Sequence, residues 1–221
     1  EEPTLFTNDA TEFGMIFDLS NDKRTQKISM NFAEEEMAIV GEEAFMTQTP
    51  TSIIQACHEA SDLEVRPDLT TAHAYVWEKL AAPGTWWNGA ERLAIAEVVR
   101  AALDDADPIP PWESASSMGR IPTDPVISAE LQDAVYRLAR HAGTLTEDWY
   151  LTMRDATGVT PQQWVEVIEV AMSVASVLRF AQLAGLERPE FPAALNGEPS
   201  RQDQPSKPAK HHWVPVVHLE D

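Results

Sequence analysis

The chain has 221 residues and a formal net charge of -20, from 36 acidic and 16 basic side chains. A surface this acidic repels phosphate backbones and anionic lipid headgroups, which argues against nucleic acid and membranes as partners. The one cysteine, Cys57, excludes an intramolecular disulfide and favours a reducing, cytoplasmic compartment. No stretch of the given sequence is apolar over enough residues for a signal peptide or a membrane span.

Residues 1–50 are predicted to form an N-terminal arm. Met15–Leu19 and Lys27–Phe32 flank a polar turn, a pattern that is consistent with a hairpin. Ala33–Phe45 has the composition of a short helix. Two interpretations stay open: the arm packs on the body or on a neighbouring subunit, or it is a disordered lead segment.

Residues 51–186 show helical periodicity and are predicted to form one all-α domain. Asp68, Thr146 and Thr160 are placed as N-caps, because short polar side chains satisfy the first free N–H groups of a helix. The predicted helices are Thr51–Asp62, Asp68–Leu80, Ala90–Leu103, Ser128–Gly143, Glu147–Ala156 and Thr160–Leu186.

The last of these helices is expected to organise the others. Pro161 fits its first position, and Gly185 and Pro189 end it. Its few polar residues recur at steps of three or four, and they are Gln163, Glu166, Glu169, Ser173, Ser176 and Arg179. A helix that is apolar around most of its circumference is buried in a core or between subunits, so we expect a homo-oligomer.

Two proline-rich stretches interrupt this pattern. Residues 104–125 contain five prolines, and a connection of that length is usually functional or mobile. Residues 187–221 are predicted to form a C-terminal tail that docks on the body. Within the tail, Trp213–Val217 is apolar enough to favour docking in an extended conformation.

Three segments together resemble one family. They are Leu80–Ala96 (LAAPGTWWNGAERLAIA), Val135–Tyr150 with its VYRL and WY motifs, and Gly158–Ile168 with its WVEVI motif; Gly197–Ser200 and Trp213–Pro215 fit the same pattern. The sequence resembles the alkylhydroperoxidase-D-like branch of the carboxymuconolactone decarboxylase superfamily. The resemblance implies an all-α fold and a homo-oligomer, commonly built from dimers or trimers. No cofactor is predicted.

The chain departs from this family at its chemistry. Redox members carry Cys-x-x-Cys, often with a nearby histidine, just after the helix that matches Ala90–Leu103; one thiolate attacks peroxide and the other resolves the product. Here Ala101–Pro108 contains no sulfur, and Tyr136 stands where relatives usually have a histidine. The resemblance therefore supports the fold and argues against the usual peroxidase activity.

Four side chains are candidates for acid–base chemistry if their helices converge: Glu97, Glu166, Tyr136 and His141. Glu97 lies on the side of its helix that would feed the missing cysteine pair, although a solvated or arginine-paired glutamate is the alternative. Glu166 matches a position that the family keeps acidic. The alternative for Glu166 is a structural ion pair with Arg92 or Arg137.

Trp86, Trp87 and His73, with Tyr136, are candidates to line a pocket for a small hydrophobic ligand, since aromatic side chains give large contact areas. Core anchoring or a subunit contact is the alternative for the tryptophans. No metal site is predicted, because neither the acidic residues 104–113 nor the histidines have a metal-binding spacing.

Three functions follow. The first is a homo-oligomeric binding or structural protein without the redox dithiol. The alternative is a non-thiol enzyme of carboxymuconolactone-decarboxylase type. The third is peroxide reduction through Cys57, although the apolar helix face around Cys57 favours an inert core residue.

Overall fold

The computed structural model of the chain describes residues 48–106, 109–110, 112–202, 206–207, 213–214 and 216–217. The hairpin and short helix expected between residues 15 and 45 lie outside this part. The described residues form six α-helices and one short ribbon, so the all-α fold class is confirmed: α1 (Pro50–Glu59), α2 (Pro67–Ala81), α3 (Gly89–Asp104), α4 (Ala129–His141), α5 (Glu147–Thr157), α6 (Pro161–Leu183), and the antiparallel pair β1 (Ser206–Lys207) and β2 (Val216–Val217). No helix in the described part combines the length and apolarity that crossing a membrane requires.

Local side-chain chemistry sets where most of the helices begin. The Thr146 side chain accepts the N–H of Trp149, which caps α5. Thr160 and Gln163 form a reciprocal capping box at α6, with Pro161 at the first helical position. The predicted caps at Thr146 and Thr160 are therefore confirmed.

The predicted cap at Asp68 is wrong. Helix α2 begins one residue earlier, at Pro67, with Arg66 at the N-cap and no side-chain cap. Proline is favoured at the first helical position because its missing N–H needs no partner there. Asp68 instead lies in the first turn, where its carboxylate accepts two hydrogen bonds from Arg66, of 3.1 and 2.5 Å.

Helices α3 and α6 form the centre of the bundle. Helix α6 packs against α2, α3 and α4, while α1 packs on α2 and α5 packs on α4. Ile95 and Val99 of α3 and Val167 and Leu178 of α6 are completely buried. Most of the apolar surface of α6 is therefore covered within one chain, and the expectation of a homo-oligomer rests on the family resemblance.

After α6 the chain runs in extended form over α2, α3 and the loop between them. The Arg100 guanidinium lies 3.6 Å from the ring centroid of Phe191, a cation–π contact. Hydrogen bonds join this segment to the body, among them Trp77 Nε1 to Glu190 O (2.7 Å), Leu195 N to Ala81 O (2.8 Å), Ser200 N to Gly84 O (3.0 Å) and Arg201 N to Thr85 O (2.8 Å).

The left-handed backbone conformation of Gly158, at the C-terminal end of α5, can be tested by substitution. Gly158 has φ 69° and ψ 9°, and a Cβ atom there would meet no atom within 4 Å. Gly158→Ala should therefore lower the free energy of unfolding by about 1 kcal/mol through backbone strain alone. Gly143→Ala is the matched control, because its added Cβ also meets no atom within 4 Å and Gly143 is not among the glycines with positive φ. Urea unfolding that gives equal losses for both variants would contradict this assignment.

Candidate functional site

A buried ion pair joins α3 to α6. Arg92, one turn into α3, donates from Nη1 to Oε1 of Glu166 on α6. Only 6% of the Arg92 side chain and 8% of the Glu166 side chain are exposed. Because removing an unpaired ion from water costs several kcal/mol, each of these residues requires the other. The structure thus contains the ion pair that the sequence offered as the alternative for Glu166, with Arg92 as the partner.

The loop before α3 closes around this pair. The backbone N–H of Trp86 donates to Glu166 Oε2 at 2.7 Å, so the protein engages both carboxylate oxygens. A Cβ atom on Gly84 would lie 1.8 Å from Glu166 Oε1 and 2.5 Å from Arg92 Nη1. Glycine is therefore required here by the close approach of the ion pair to the backbone.

A small cleft lies beside Arg92, between α2, α3 and α6. Its cavity of about 30 Å³ has room for two or three water molecules. One part of its wall is apolar and the other part is polar or charged. The apolar lining residues are Val76, Leu80, Val170 and Val174; the polar ones are Tyr75, Lys79, Arg92, Glu169 and Ser173.

The charged groups of the cleft are unequally paired. Glu169 Oε2 lies 3.6 Å from Arg92 Nη1, beyond good hydrogen-bond distance, and 54% of the Glu169 side chain is exposed. Arg92 Nε is buried and has no hydrogen-bond partner within the described part of the chain. Desolvation raises the pKa of Glu169, while the Arg92 cation opposes this rise and the Glu166 charge adds to it. The cleft therefore combines the Arg92 cation, which pairs with Glu166, and the more loosely held carboxylate of Glu169.

Sequence reasoning did not select Lys79, Glu169, Ser173 or Tyr75 as site residues. The polar stripe of α6 carries a signal for two of them, because Glu169 and Ser173 follow Glu166 at helical spacings of three and four. Lys79 and Tyr75 reach the cleft from α2, and contact between different helices has no signature in a single sequence.

Tyr136 and His141 lie at the other end of α3. The buried Tyr136 hydroxyl donates to Asp105 Oδ2 at 2.5 Å, and burial together with Asp105 raises the pKa of Tyr136 to about 12. Arg140 donates to the carbonyl oxygens of Ala102 (3.1 Å) and Asp105 (2.6 Å). The ring of the fully buried His141 lies 5.9 Å from that of Tyr136. This cluster therefore caps the C-terminal end of α3.

The length of α3 separates two groups of predicted site residues. Helix α3 has 16 residues and is therefore about 24 Å long. Trp86 and Trp87 precede it, whereas Asp105, the hydrogen-bond partner of Tyr136, follows it. Trp87 Nε1 donates to Gln163 O at 3.1 Å and its side chain packs against the core, which fits the core-anchor alternative. The structure therefore does not bring Tyr136 into one pocket with the tryptophans.

The four acid–base candidates are divided in the same way. Glu166 is engaged at the N-terminal end of α3, whereas Tyr136 and His141 lie near its C-terminal end. Glu97 lies on the exposed face of α3, which fits the alternative of a solvated glutamate. Of the four, only Tyr136 and His141 are placed together.

His73 belongs to a separate buried cluster. Its Nδ1 lies 3.3 Å from His58 Nε2, and His58 Nδ1 lies 2.8 Å from Thr70 Oγ1. The ring of Phe180 packs against both imidazoles, at 5.1 and 5.6 Å between centroids. Burial lowers the pKa of His73 to about 4, so its imidazole is neutral at pH 7. The described residues contain no group of three or more side chains that could hold a metal ion.

The surroundings of Cys57 make its thiol a weak nucleophile. Its thiol is half-buried and donates to the carbonyl oxygen of Glu187 at 3.1 Å. Burial, and then the charge of Glu187, raise the pKa of the thiol. Since the thiolate is the reactive species, this environment argues against peroxide reduction at Cys57.

The ion pair gives a stability prediction. Glu166→Gln leaves the Arg92 cation buried without its carboxylate, so unfolding free energy should fall by about 3 kcal/mol. Glu169→Gln is the matched control, and it should cost less than about 1 kcal/mol because Glu169 is half-exposed. Adding Arg92→Met to Glu166→Gln should recover part of the loss. Denaturant unfolding that gives similar losses for the two single variants would contradict the assignment.

His73 gives a pH prediction. The unfolded chain binds a proton at His73 below about pH 6.5, whereas the folded chain does so only near pH 4. Stability should therefore be full above pH 6.5 and fall by up to about 3 kcal/mol as the pH drops toward 4. His73→Gln removes this titration, so its loss between pH 7 and pH 4.5 should be smaller than that of the wild type. Equal losses in urea unfolding would show that His73 does not contribute.

Comparison of the chain with family models, with curated proteins and with solved structures gives no match. The functional interpretation therefore stands on the geometry described above and on the resemblance of the quoted motifs.

Proposed function

We propose that this protein is a cytoplasmic, homo-oligomeric member of the alkylhydroperoxidase-D-like group that has lost the redox dithiol and binds a small molecule. The sequence motifs support the family, and the sulfur-free stretch 101–108 supports the loss of thiol chemistry. The binding site is the cleft between α2, α3 and α6.

The observation that carries this proposal is the placement of the Arg92 guanidinium and the Lys79 ammonium in the wall of one cleft. Guanidinium and ammonium groups donate charge-assisted hydrogen bonds to the acceptor atoms of a bound molecule. The cleft next to Arg92 has apolar walls on one side and charged groups on the other. Such a mixture is typical of small-molecule sites, in which a few polar groups fix the orientation of the ligand.

The hydrogen bonds at the C-terminal end of α3 support the proposed loss of redox chemistry. Redox relatives carry their cysteines just after the helix that α3 matches. Here Asp105 follows α3 and accepts the hydroxyl of Tyr136, while Arg140 binds the last carbonyl groups of the helix. A tyrosine with a pKa of about 12 stays protonated as a donor, so this cluster serves packing rather than proton transfer.

One observation favours a second function, a non-thiol acid–base enzyme. The pKa of Glu169 is raised, and this half-exposed carboxyl group lies in the same cleft as Lys79. A carboxyl group with a raised pKa is a stronger base and a candidate for general acid–base work. Glu169→Gln separates the two functions, because an enzyme of this kind would lose turnover, whereas a binding protein would keep its ligand.

Native mass spectrometry of the untagged protein tests the proposal. We expect a discrete oligomer that carries additional mass from a retained ligand. Ser173→Leu fills the cleft and should remove that mass, whereas Ser176→Leu, on the exposed side of α6, should leave it unchanged. A monomer would contradict the oligomer, and wild-type protein without added mass would contradict ligand binding.

A further inference from the structure

We propose that Thr70, His58 and His73 form a hydrolytic triad that cleaves small uncharged esters. His58 lies on α1, and the other two residues lie on α2. Thr70 and His58 line a hollow that is distinct from the cleft beside Arg92. This activity goes beyond the proposed binding function and is independent of it, because the described lining of that cleft includes none of the three residues.

The three side chains form a continuous chain of hydrogen bonds. The Thr70 hydroxyl oxygen lies 2.8 Å from His58 Nδ1, and His58 Nε2 lies 3.3 Å from His73 Nδ1. A nucleophile within reach of a base, with that base oriented by a third group, is the arrangement that activates hydroxyl groups in covalent catalysis. The neighbouring Thr71 differs, because its hydroxyl donates to the Pro67 carbonyl oxygen of its own helix. The Thr70 hydroxyl is therefore directed at a base and not at the helix backbone.

The protonation states of the two histidines suit this role at neutral pH. Burial lowers the pKa of His73 to about 4 and also lowers the pKa of His58, so both imidazoles are neutral at pH 7. With its proton on Nε2, the neutral His58 takes the Thr70 proton at Nδ1 and donates to His73 Nδ1. The lone pair of His73 then stabilises the imidazolium that forms on His58. Because His73 acts through His58, it is a positioning residue.

The hollow beside Thr70 has the size and the lining of a small-molecule site. Its volume is about 440 Å³, and Thr70 and His58 both contribute to its wall. The apolar lining residues are Leu63, Val65 and Pro67; the other polar ones are Gln55, Glu59, Ser61 and Thr71. The amide of Gln55 and the hydroxyl of Ser61 carry donors for the oxygen atoms of a substrate. A bound molecule in the hollow therefore meets the nucleophile, the base and hydrogen-bond donors.

The charges and the chemistry of the site favour an uncharged ester. The Glu59 carboxylate lies in the wall of the hollow, and the whole chain has a net charge of -20, so anionic substrates are repelled. A neutral His73 stabilises the His58 cation less than a carboxylate in the same position would. This weaker assistance favours esters over amides, because an alcohol is a better leaving group than an amine. The apolar part of the wall accommodates short alkyl groups.

The reaction proceeds in two balanced steps. Thr70 Oγ1 attacks the carbonyl carbon of the ester while His58 Nδ1 takes the hydroxyl proton; the carbon–oxygen bond to the alcohol then breaks, and the alcohol leaves with that proton. Water next attacks the acyl group on Thr70 and gives a proton to His58. The carboxylic acid leaves as Thr70 recovers this proton. The sum is ester plus water to acid plus alcohol, without oxidation or reduction.

Hydrolysis of p-nitrophenyl acetate by the full chain tests the role of Thr70. We expect turnover above the uncatalysed rate, and we expect peptide mass spectrometry of acid-quenched wild-type protein to locate an acetyl group on Thr70. Thr70→Val should abolish turnover, whereas Thr70→Ser should keep it within about threefold because the hydroxyl remains. Thr152→Val is the matched control, since its exposed hydroxyl donates to Asp148 O within α5 and its loss should leave turnover unchanged.

The pH profile and the kinetic constants test the histidines. The His58 ring contacts Thr70 and His73 from α2 and Phe180 from α6, and Glu59 lies in the wall of the same hollow. Because the pKa of His58 is lowered, the acid limb of the wild-type profile should lie below pH 6.5. His58→Gln should lower kcat about a hundredfold, the contribution of a general base.

His73→Leu tests positioning separately from stability. We expect kcat to fall about tenfold and the acid limb to move to still lower pH, because the His58 imidazolium loses its acceptor. KM should stay unchanged, because the described wall of the hollow does not include His73. A purely structural role would not move the pH profile of the folded variant.

Several outcomes would overturn the triad. They are the absence of turnover, full turnover in Thr70→Val, unchanged kcat in His58→Gln, and acetyl groups found only on Cys57 or on lysines. Thr70→Val is nearly isosteric, and its thermal unfolding should show a folded protein. The mapping of the acetyl group uses the wild type alone, so it decides the question even if a variant fails to fold. Retained ligand mass reports on the cleft beside Arg92, so failure of the triad leaves the proposed function standing.

Discussion

The ion pair between Arg92 and Glu166 fixes the relation between three segments that are distant in the sequence. It joins α3 to α6, and the second oxygen of Glu166 holds the Trp86 amide of the preceding loop. The extended C-terminal segment then binds the same loop, through the amides of Ser200 and Arg201. A buried pair of this kind adds little net stability compared with apolar packing, but breaking it leaves a charge without a partner. The ion pair therefore selects a single arrangement of α3, α6 and the loop before α3.

The two ends of α3 differ in the charged and polar side chains that surround them. At the C-terminal end, Tyr136 donates to the Asp105 carboxylate and stays neutral, and Arg140 donates to the carbonyl oxygens of Ala102 and Asp105. At the N-terminal end, the same guanidinium that neutralises Glu166 also lines the cleft, together with Lys79. The proposed binding function therefore belongs to the end of the helix that holds the ion pair, and not to the end where Tyr136 and Arg140 lie.

The features that could be predicted from the sequence are those that depend on local chemistry. Thr146 and Thr160 were identified as caps because their hydrogen bonds reach only three residues ahead. Asp68 was misplaced because Pro67 competes for the start of the same helix. The site was harder to predict, because Glu166 has several arginines within possible reach and only the packing of α3 on α6 selects Arg92. Lys79 enters the cleft from a third helix, so its role has no signal in a single sequence.

Native-state hydrogen exchange at the Trp86 amide is the most direct test of this organisation. That N–H group lies in a loop, yet it donates to a buried carboxylate. We expect it to exchange as slowly as the core amides of α3, and we expect Glu166→Gln to accelerate its exchange together with that of the Ser200 and Arg201 amides. Rapid exchange at Trp86 in the wild type, at the rate of an open loop, would contradict the view that the ion pair holds these segments together.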